Sequence, residues 1–82
     1  MRAHYEYDYT RLRSRISEVY GSMTKFATAM GCTKGAMSQK LSNRVEWSQG
    51  DILKASELLG IPTGEIPSFF MVLVFRNVNL EK

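Results

Sequence analysis

SMTKFATAMGCTKGAMSQKLSNR, residues 22–44, is the stretch that decides the fold of this 82-residue chain. Ser22 and Thr33 are of the residue types that cap a helix N-terminus, because their hydroxyls accept hydrogen bonds from free backbone amides. Gly31 lies between them, where a residue without a Cβ can adopt the left-handed backbone conformation that ends a helix. The stretch therefore predicts two helices of about two turns each, joined by a tight turn.

Small and apolar residues recur in this stretch where two crossing helices would touch. Ala27 leaves room for the following helix, Cys32 is expected to be a small buried residue in the turn, and Met37 would fill the space between the helices. The second of the two helices is expected from about Lys34 to Leu41 or Ser42. This spacing predicts a helix-turn-helix, in which the two helices cross at a steep angle.

Apolar residues at helical spacing flank the stretch on both sides. The face that predicts a helix before it consists of Leu12, Ile16 and Val19. The stripe that predicts a helix after it consists of Ile52, Ala55, Leu58 and Leu59. Gly21 and Gly60 follow these two patterns as helix ends, and Thr63 is expected to begin a short fifth turn. Ser48 with Asp51 three residues later resembles a capping box, which predicts that the later helix begins there.

The two ends of the chain have the composition of strands. Tyr5, Tyr7 and Tyr9 alternate with acidic residues, which is the period-two pattern of a short strand. Residues 69–75 read FFMVLVF, a β-branched and aromatic run without glycine or proline. We expect a strand there that pairs with the N-terminal strand or with a second subunit, because a bare apolar edge would aggregate.

Composition argues against several classes of function. One cysteine and one histidine exclude an intramolecular disulfide and a four-ligand zinc site within one chain, so we expect no metal and no cofactor. No Ser/His/Asp set, carboxylate pair or glycine-rich phosphate loop is present, so we expect no catalytic residues and no enzyme. No run approaches the roughly 20 apolar residues that span a bilayer, which predicts a cytoplasmic protein that avoids membranes.

The net charge of +3 is concentrated in the middle of the chain. Residues 21–50 hold four basic residues, Lys25, Lys34, Lys40 and Arg44, against one acidic residue, Glu46. An uneven basic distribution of this kind is expected of an element that faces phosphates.

MTKFATAMGCTKGAMSQKL, residues 23–41, resembles the helix-turn-helix of the phage repressor and Cro superfamily. The flanking stretches YDYTRLRSRI, WSQGDILKASELLGI and EIPSFF are similar to a small family of uncharacterised phage Cro-like proteins, so the resemblance covers residues 7–70. Met23, Lys40 and Asn43 depart from the usual pattern, which has glutamine, an apolar residue and glycine at these places.

The resemblance implies a fold class and a domain plan. The class is mainly α, a four- to five-helix repressor-like helix-turn-helix domain with a short N-terminal strand and a C-terminal β-strand. One domain would span residues 1–82, with a strand or arm at 1–8, a helical core at 9–66, and a strand at 69–78 as a candidate dimerisation element.

The resemblance also implies a bacterial host cell, a transcription regulator and the roles of individual residues. The helix from about Lys34 to Leu41 would lie in the major groove of double-stranded operator DNA, with a homodimer spacing two such helices about 34 Å apart. The residues implied for base contacts are Lys34, Gly35, Ser38 and Gln39. The residues implied for phosphate contacts are Ser22, Thr24, Lys25, Thr33, Lys40, Asn43 and Arg44.

A protein-binding module, of the antirepressor or antitoxin kind, is the alternative reading of the same fold. Its C-terminal strand would dock the partner. Large apolar residues on the surface from Lys34 to Arg44 would favour this reading, and the stretch has none outside the predicted core. No small-molecule ligand is expected under either reading, because so small a body has no deep cavity.

Overall fold

The computed structural model describes residues 6–74, and these form a mainly helical domain, as predicted. Five α-helices follow one another along these described residues, with a 3-10 turn at Thr63–Glu65 before the last. They are α1 (Thr10–Tyr20), α2 (Met23–Met30), α3 (Lys34–Leu41), α4 (Gln49–Leu59) and α5 (Ile66–Phe70).

Hydroxyl caps begin three of the helices at the residues that the sequence predicts. The side chains of Ser22, Thr33 and Ser48 accept hydrogen bonds of 3.2, 3.0 and 3.0 Å from backbone amides in the first turns of α2, α3 and α4. Gly31 ends α2 with φ +83°, the left-handed region. The turn from α2 into α3 is therefore fixed by local chemistry at both of its ends.

α2 lies at the centre of the packing and contacts α1, α3 and α4. Its inward side chains Phe26 and Ala27 are 0% and 1% exposed, and Leu12 of α1 and Met37 of α3 are completely buried with them. The ring centroid of Tyr20 lies 5.4 Å from that of Phe26. Removal of this apolar surface from water is what holds the short helices, because two turns are marginal as isolated helices.

Basic side chains close the C-terminal ends of three helices. Each donates a hydrogen bond to the carbonyl of the last residue of the helix: Lys54 to Met30 of α2 at 3.1 Å, Arg13 to Leu41 of α3 at 3.2 Å, and Arg15 to Leu59 of α4 at 2.8 Å. A cation at this place also opposes the negative end of the helix dipole. Three of the eleven basic residues of the chain thus have structural roles.

The predicted strand from residue 69 is wrong at its beginning. Phe69 and Phe70 belong to α5 and are 1% and 3% exposed. Pro67 lies in the first turn of α5, where its fixed φ suits a helix and its missing amide is not needed. The ring of Phe70 packs edge-on against Trp47 at 5.1 Å, and the guanidinium of Arg11 lies 4.4 Å from the ring centroid of Phe69. Burial against the core decides in favour of the helix.

The two ends of the described part of the chain, residues 6–74, meet in a single antiparallel bridge, between Tyr7 and Leu73. Two backbone hydrogen bonds flank it, from the Asp8 amide to the Val72 carbonyl at 2.7 Å and from the Val74 amide to the Glu6 carbonyl at 2.9 Å. The described residues therefore contain a bridge and no strand, so the strand predictions are not supported there. The predicted strand residues 1–5 and 75–78 lie outside the described part of the chain.

Met37→Ala is expected to destabilise the protein by about 2–5 kcal/mol, because it opens a cavity between α2 and α3. Urea unfolding followed by circular dichroism measures the change. The neighbouring exposed residue gives a control, since Ser38→Ala is expected to change stability by no more than about 0.5 kcal/mol. A loss below about 1 kcal/mol for Met37→Ala would contradict the packing described above.

Candidate interaction face of the third helix

α3 presents one face to the core and the opposite face to solvent. Met37 and Leu41 are 0% and 4% exposed and anchor the helix. The four residues predicted to contact bases, which we call the α3 face, are all exposed: Lys34, Gly35, Ser38 and Gln39. Within residues 6–74, none of the three longer side chains of this face forms a hydrogen bond or an ion pair. The structure therefore brings the predicted base-contacting set together on one accessible surface.

Gly35 leaves open space on this face. A Cβ at this position would meet nothing nearer than the Thr33 hydroxyl oxygen at 3.9 Å, an ordinary contact distance. Packing within the chain thus does not require glycine here, although glycine within a helix is about 1 kcal/mol less favourable than alanine. The absence of a side chain lets another molecule approach the backbone of α3.

Lys40, predicted as a phosphate contact, is already ion-paired within the protein. Its Nζ lies 3.0 Å from a carboxylate oxygen of Asp51, and its side chain is only 16% exposed. The same Nζ lies 5.9 Å from the ring centroid of Trp47. The hydrogen bond from Lys40 is the main cause that lowers the pKa of the Asp51 carboxyl below its ordinary value, and hydrogen bonds from Ser48 add to it. The charge of Lys40 is therefore compensated by a carboxylate that stays ionised.

Asn43, also predicted as a phosphate contact, uses both ends of its side-chain amide inside the chain. Its Oδ1 accepts a hydrogen bond of 2.8 Å from the Tyr7 amide, and its Nδ2 donates one of 3.0 Å to the Tyr7 carbonyl. The residue holds φ +68°, as a left-handed position after a helix requires. The side chain pairs with Tyr7 as a neighbouring strand would, and it ties the end of α3 to the N-terminal segment.

The other predicted phosphate contacts fall into two groups. The hydroxyls of Ser22 and Thr33 serve as helix caps. Thr24, Lys25 and Arg44 are exposed, and neither of the two cations forms an ion pair within residues 6–74. Of the charged residues predicted to hold phosphate, the structure thus leaves these two accessible.

Val45 is an exposed apolar residue that was not predicted from the sequence to be part of the site. Its side chain is 40% exposed, and its amide donates a hydrogen bond of 3.2 Å to the Gln39 carbonyl, which places it at the C-terminal end of α3. The surface predicted from the sequence ends at Arg44, one residue earlier. The reversal of the chain back onto Gln39 makes Val45 part of the surroundings of the α3 face.

Asp51 was recognised from the sequence only as a residue of the first turn of α4. Its ion pair with Lys40 joins residues eleven positions apart across the break between two helices. Opposite charges at that separation carry no local signal, because the contact depends on how α4 packs.

None of the helices within residues 6–74 is long and apolar enough to cross a membrane. The same residues include no group of three or more histidine, cysteine, aspartate or glutamate side chains that could hold a metal ion.

The fold and the α3 face define a small helical domain that presents a polar helix beside a tight turn. The chain belongs to the family described as "Protein of unknown function (DUF739)", which matches residues 5–72. No curated protein matches it significantly.

A solved structure that is similar to the chain is the solution structure of the modulator of repression (MOR) of the temperate bacteriophage TP901-1 from Lactococcus lactis. The two are 39% identical with a TM-score of 0.71, over 78% of this chain and 86% of that one. This likeness supports the mainly helical fold, and it provides a phage regulator with which the chain can be compared.

Two substitutions of Asn43 separate its hydrogen bonds from its backbone conformation. Asn43→Gly keeps the left-handed conformation and loses the two bonds to Tyr7, at about 1–3 kcal/mol of unfolding free energy. Asn43→Ala loses the same bonds and also strains the backbone, so we expect it to be less stable by about a further 1 kcal/mol. Urea unfolding measures both. Equal stability of the glycine variant and the unmodified protein would show that the pairing with Tyr7 contributes nothing.

Proposed function

We propose that this protein is a phage-type modulator of repression, a binding protein rather than an enzyme, that acts on a repressor protein through the α3 face. In this proposal α2, the turn and α3 are a helix-turn-helix of the repressor and Cro type, in the cytoplasm of a bacterial host. Its support is the 39% identity to a bacteriophage modulator of repression.

The observation that carries the choice of a protein partner is the state of the residues around α3. Contacts from lysine and arginine to phosphates supply a large share of the affinity of many DNA-binding proteins. Here Lys40 is bonded to Asp51 and Asn43 to Tyr7, which leaves Lys25 and Arg44 as the accessible cations of the predicted phosphate set. Beside Lys34 of the α3 face, two cations are a weak basis for binding a duplex.

The composition of the exposed surface around α3 also suits the binding of a protein partner. Val45 adds an exposed apolar side chain beside Gln39, and Lys34 and Ser38 supply hydrogen-bonding groups without partners in the described chain. Protein interfaces combine apolar contacts with hydrogen-bonding groups. A repressor of the same phage genome would be the partner.

Val45→Asp is expected to weaken binding to that repressor at least about tenfold, because it buries a charge in the interface. Calorimetric titration of the repressor measures the affinity. Val19→Asp is a matched control, since Val19 is a similarly exposed valine (48%) on α1, and we expect it to change the affinity less than about twofold. If both variants lose affinity equally, or if the unmodified protein binds no repressor, the proposal is wrong.

Direct reading of operator DNA by a homodimer is the second candidate, because Lys34, Ser38 and Gln39 are exposed on one helix face and have groups that can bond to base edges. Selection from a random duplex library tests it. Under this reading a palindrome is enriched, and Gln39→Ala weakens binding to the enriched site by about 1–3 kcal/mol while binding to random DNA is unchanged. A library without enrichment would contradict DNA reading.

A further inference from the structure

We infer that Asp51 determines the partner class of the α3 face, because it withholds Lys40 from nucleic acid. This inference rests on the proposed function and deepens it, since it names the residue that keeps a helix-turn-helix of repressor type from holding a DNA backbone. Three features support it: how Asp51 is held, how Lys40 is held, and where Lys40 lies.

Asp51 is held in place by contacts other than that with Lys40. Ser48 caps α4, and its hydroxyl accepts a hydrogen bond of 3.0 Å from the Asp51 amide. Asp51 thus lies in the first turn of α4, where the positive end of the helix dipole stabilises a carboxylate. Because Asp51 is part of a helix, its contact with Lys40 does not require a flexible loop to become ordered.

Lys40 is held more firmly than the other ion-paired cations of residues 6–74. Its 3.0 Å contact with Asp51 compares with 3.7 Å between Arg15 and Glu18 and 4.0 Å between Arg11 and Glu65. The Lys40 side chain is 16% exposed, against 27% for Arg15 and 57% for Arg11. To contact a phosphate, Lys40 would have to leave a carboxylate and the ring of Trp47.

The position of Lys40 makes this pairing matter for nucleic acid. It lies in the last turn of α3, one residue after Gln39, which faces solvent. If Lys40 were released from Asp51, it would lie beside Arg44 at the edge of the α3 face. A helix bound in the major groove contacts the DNA backbone at this edge. Removal of the Asp51 charge should therefore create a phosphate contact.

Asp51→Asn tests this, with Glu57→Gln as the matched control. Both substitutions remove one negative charge from α4, but Glu57 is exposed and six residues further along the helix. The probe is a short random-sequence duplex, and fluorescence anisotropy measures binding over a range of salt concentrations. Asp51→Asn should bind about tenfold more tightly at 50 mM salt, with a salt slope steeper by about 0.9, as one added phosphate contact gives. Glu57→Gln should leave the slope unchanged.

An equal gain in the two variants, or no gain for Asp51→Asn, would overturn the inference. Lys40→Met combined with Asp51→Asn provides a second readout, because the double variant removes the pair without changing the net charge. It should bind DNA as the unmodified protein does, since the lysine that Asp51→Asn releases is then absent. A double variant that keeps the gain of Asp51→Asn would show that Lys40 is not its source, and would overturn the inference too.

Titration of the repressor with the same preparations separates this inference from the proposed function. If the unmodified protein binds no repressor, the proposed function fails whatever Asp51→Asn does to DNA binding. If the repressor binds but Asp51→Asn gains no DNA affinity, the inference alone fails.

Discussion

The burial of α2 is the constraint on which the rest of this structure depends. Phe26 and Ala27 are removed from water by contact with three other helices, and Ala27 is small enough to let α3 come close. Helices of eight residues do not persist alone, so α3 exists as a helix because Met37 and Leu41 pack against this centre. The outward orientation of the α3 face follows from the same packing. A surface for recognition is thus a consequence of how the core is filled.

Four basic residues of this protein are committed to its own fold. Arg13, Arg15 and Lys54 close helix ends, and Lys40 is paired with Asp51. Within residues 21–50 this applies to Lys40 alone, so the formal charge of that stretch overstates by one the charge that a nucleic acid would meet. A basic residue is available to a binding partner only when its charge is not already bonded to a carbonyl or carboxylate of the same chain. This distinction is what moves the favoured partner of the α3 face from DNA towards protein.

Local chemistry made much of the fold predictable from the sequence. Ser22, Thr33 and Ser48 cap helices where the pattern indicates, since a cap depends only on residues within one turn. The same holds for the end of α2 at Gly31. The exposure of Lys34, Ser38 and Gln39 also followed from the periodicity of α3, because a helix that buries Met37 and Leu41 must turn the intervening residues outward.

Features set by tertiary contacts were not predictable in the same way. Phe69 and Phe70 have strand-like composition, but Pro67 begins a helical turn and the core takes both rings. The pairing of Asn43 with Tyr7 joins residues 36 positions apart, and that of Lys40 with Asp51 depends on the packing of α4. Each contact occupies the side chain of a predicted phosphate ligand. The sequence therefore predicted which residues of α3 are exposed, whereas the internal contacts at its flank required the structure.

Backbone amide chemical shifts measured by NMR test most directly whether the α3 face binds a protein. An isotope-labelled sample would be titrated at physiological salt with the repressor of the same phage genome and, separately, with an operator duplex. Our account predicts that the amides of Lys34, Ser38, Gln39 and Val45 shift or broaden with the repressor and stay in place with the duplex at equal concentration. Shifts at these amides with the duplex but not with the repressor would contradict it.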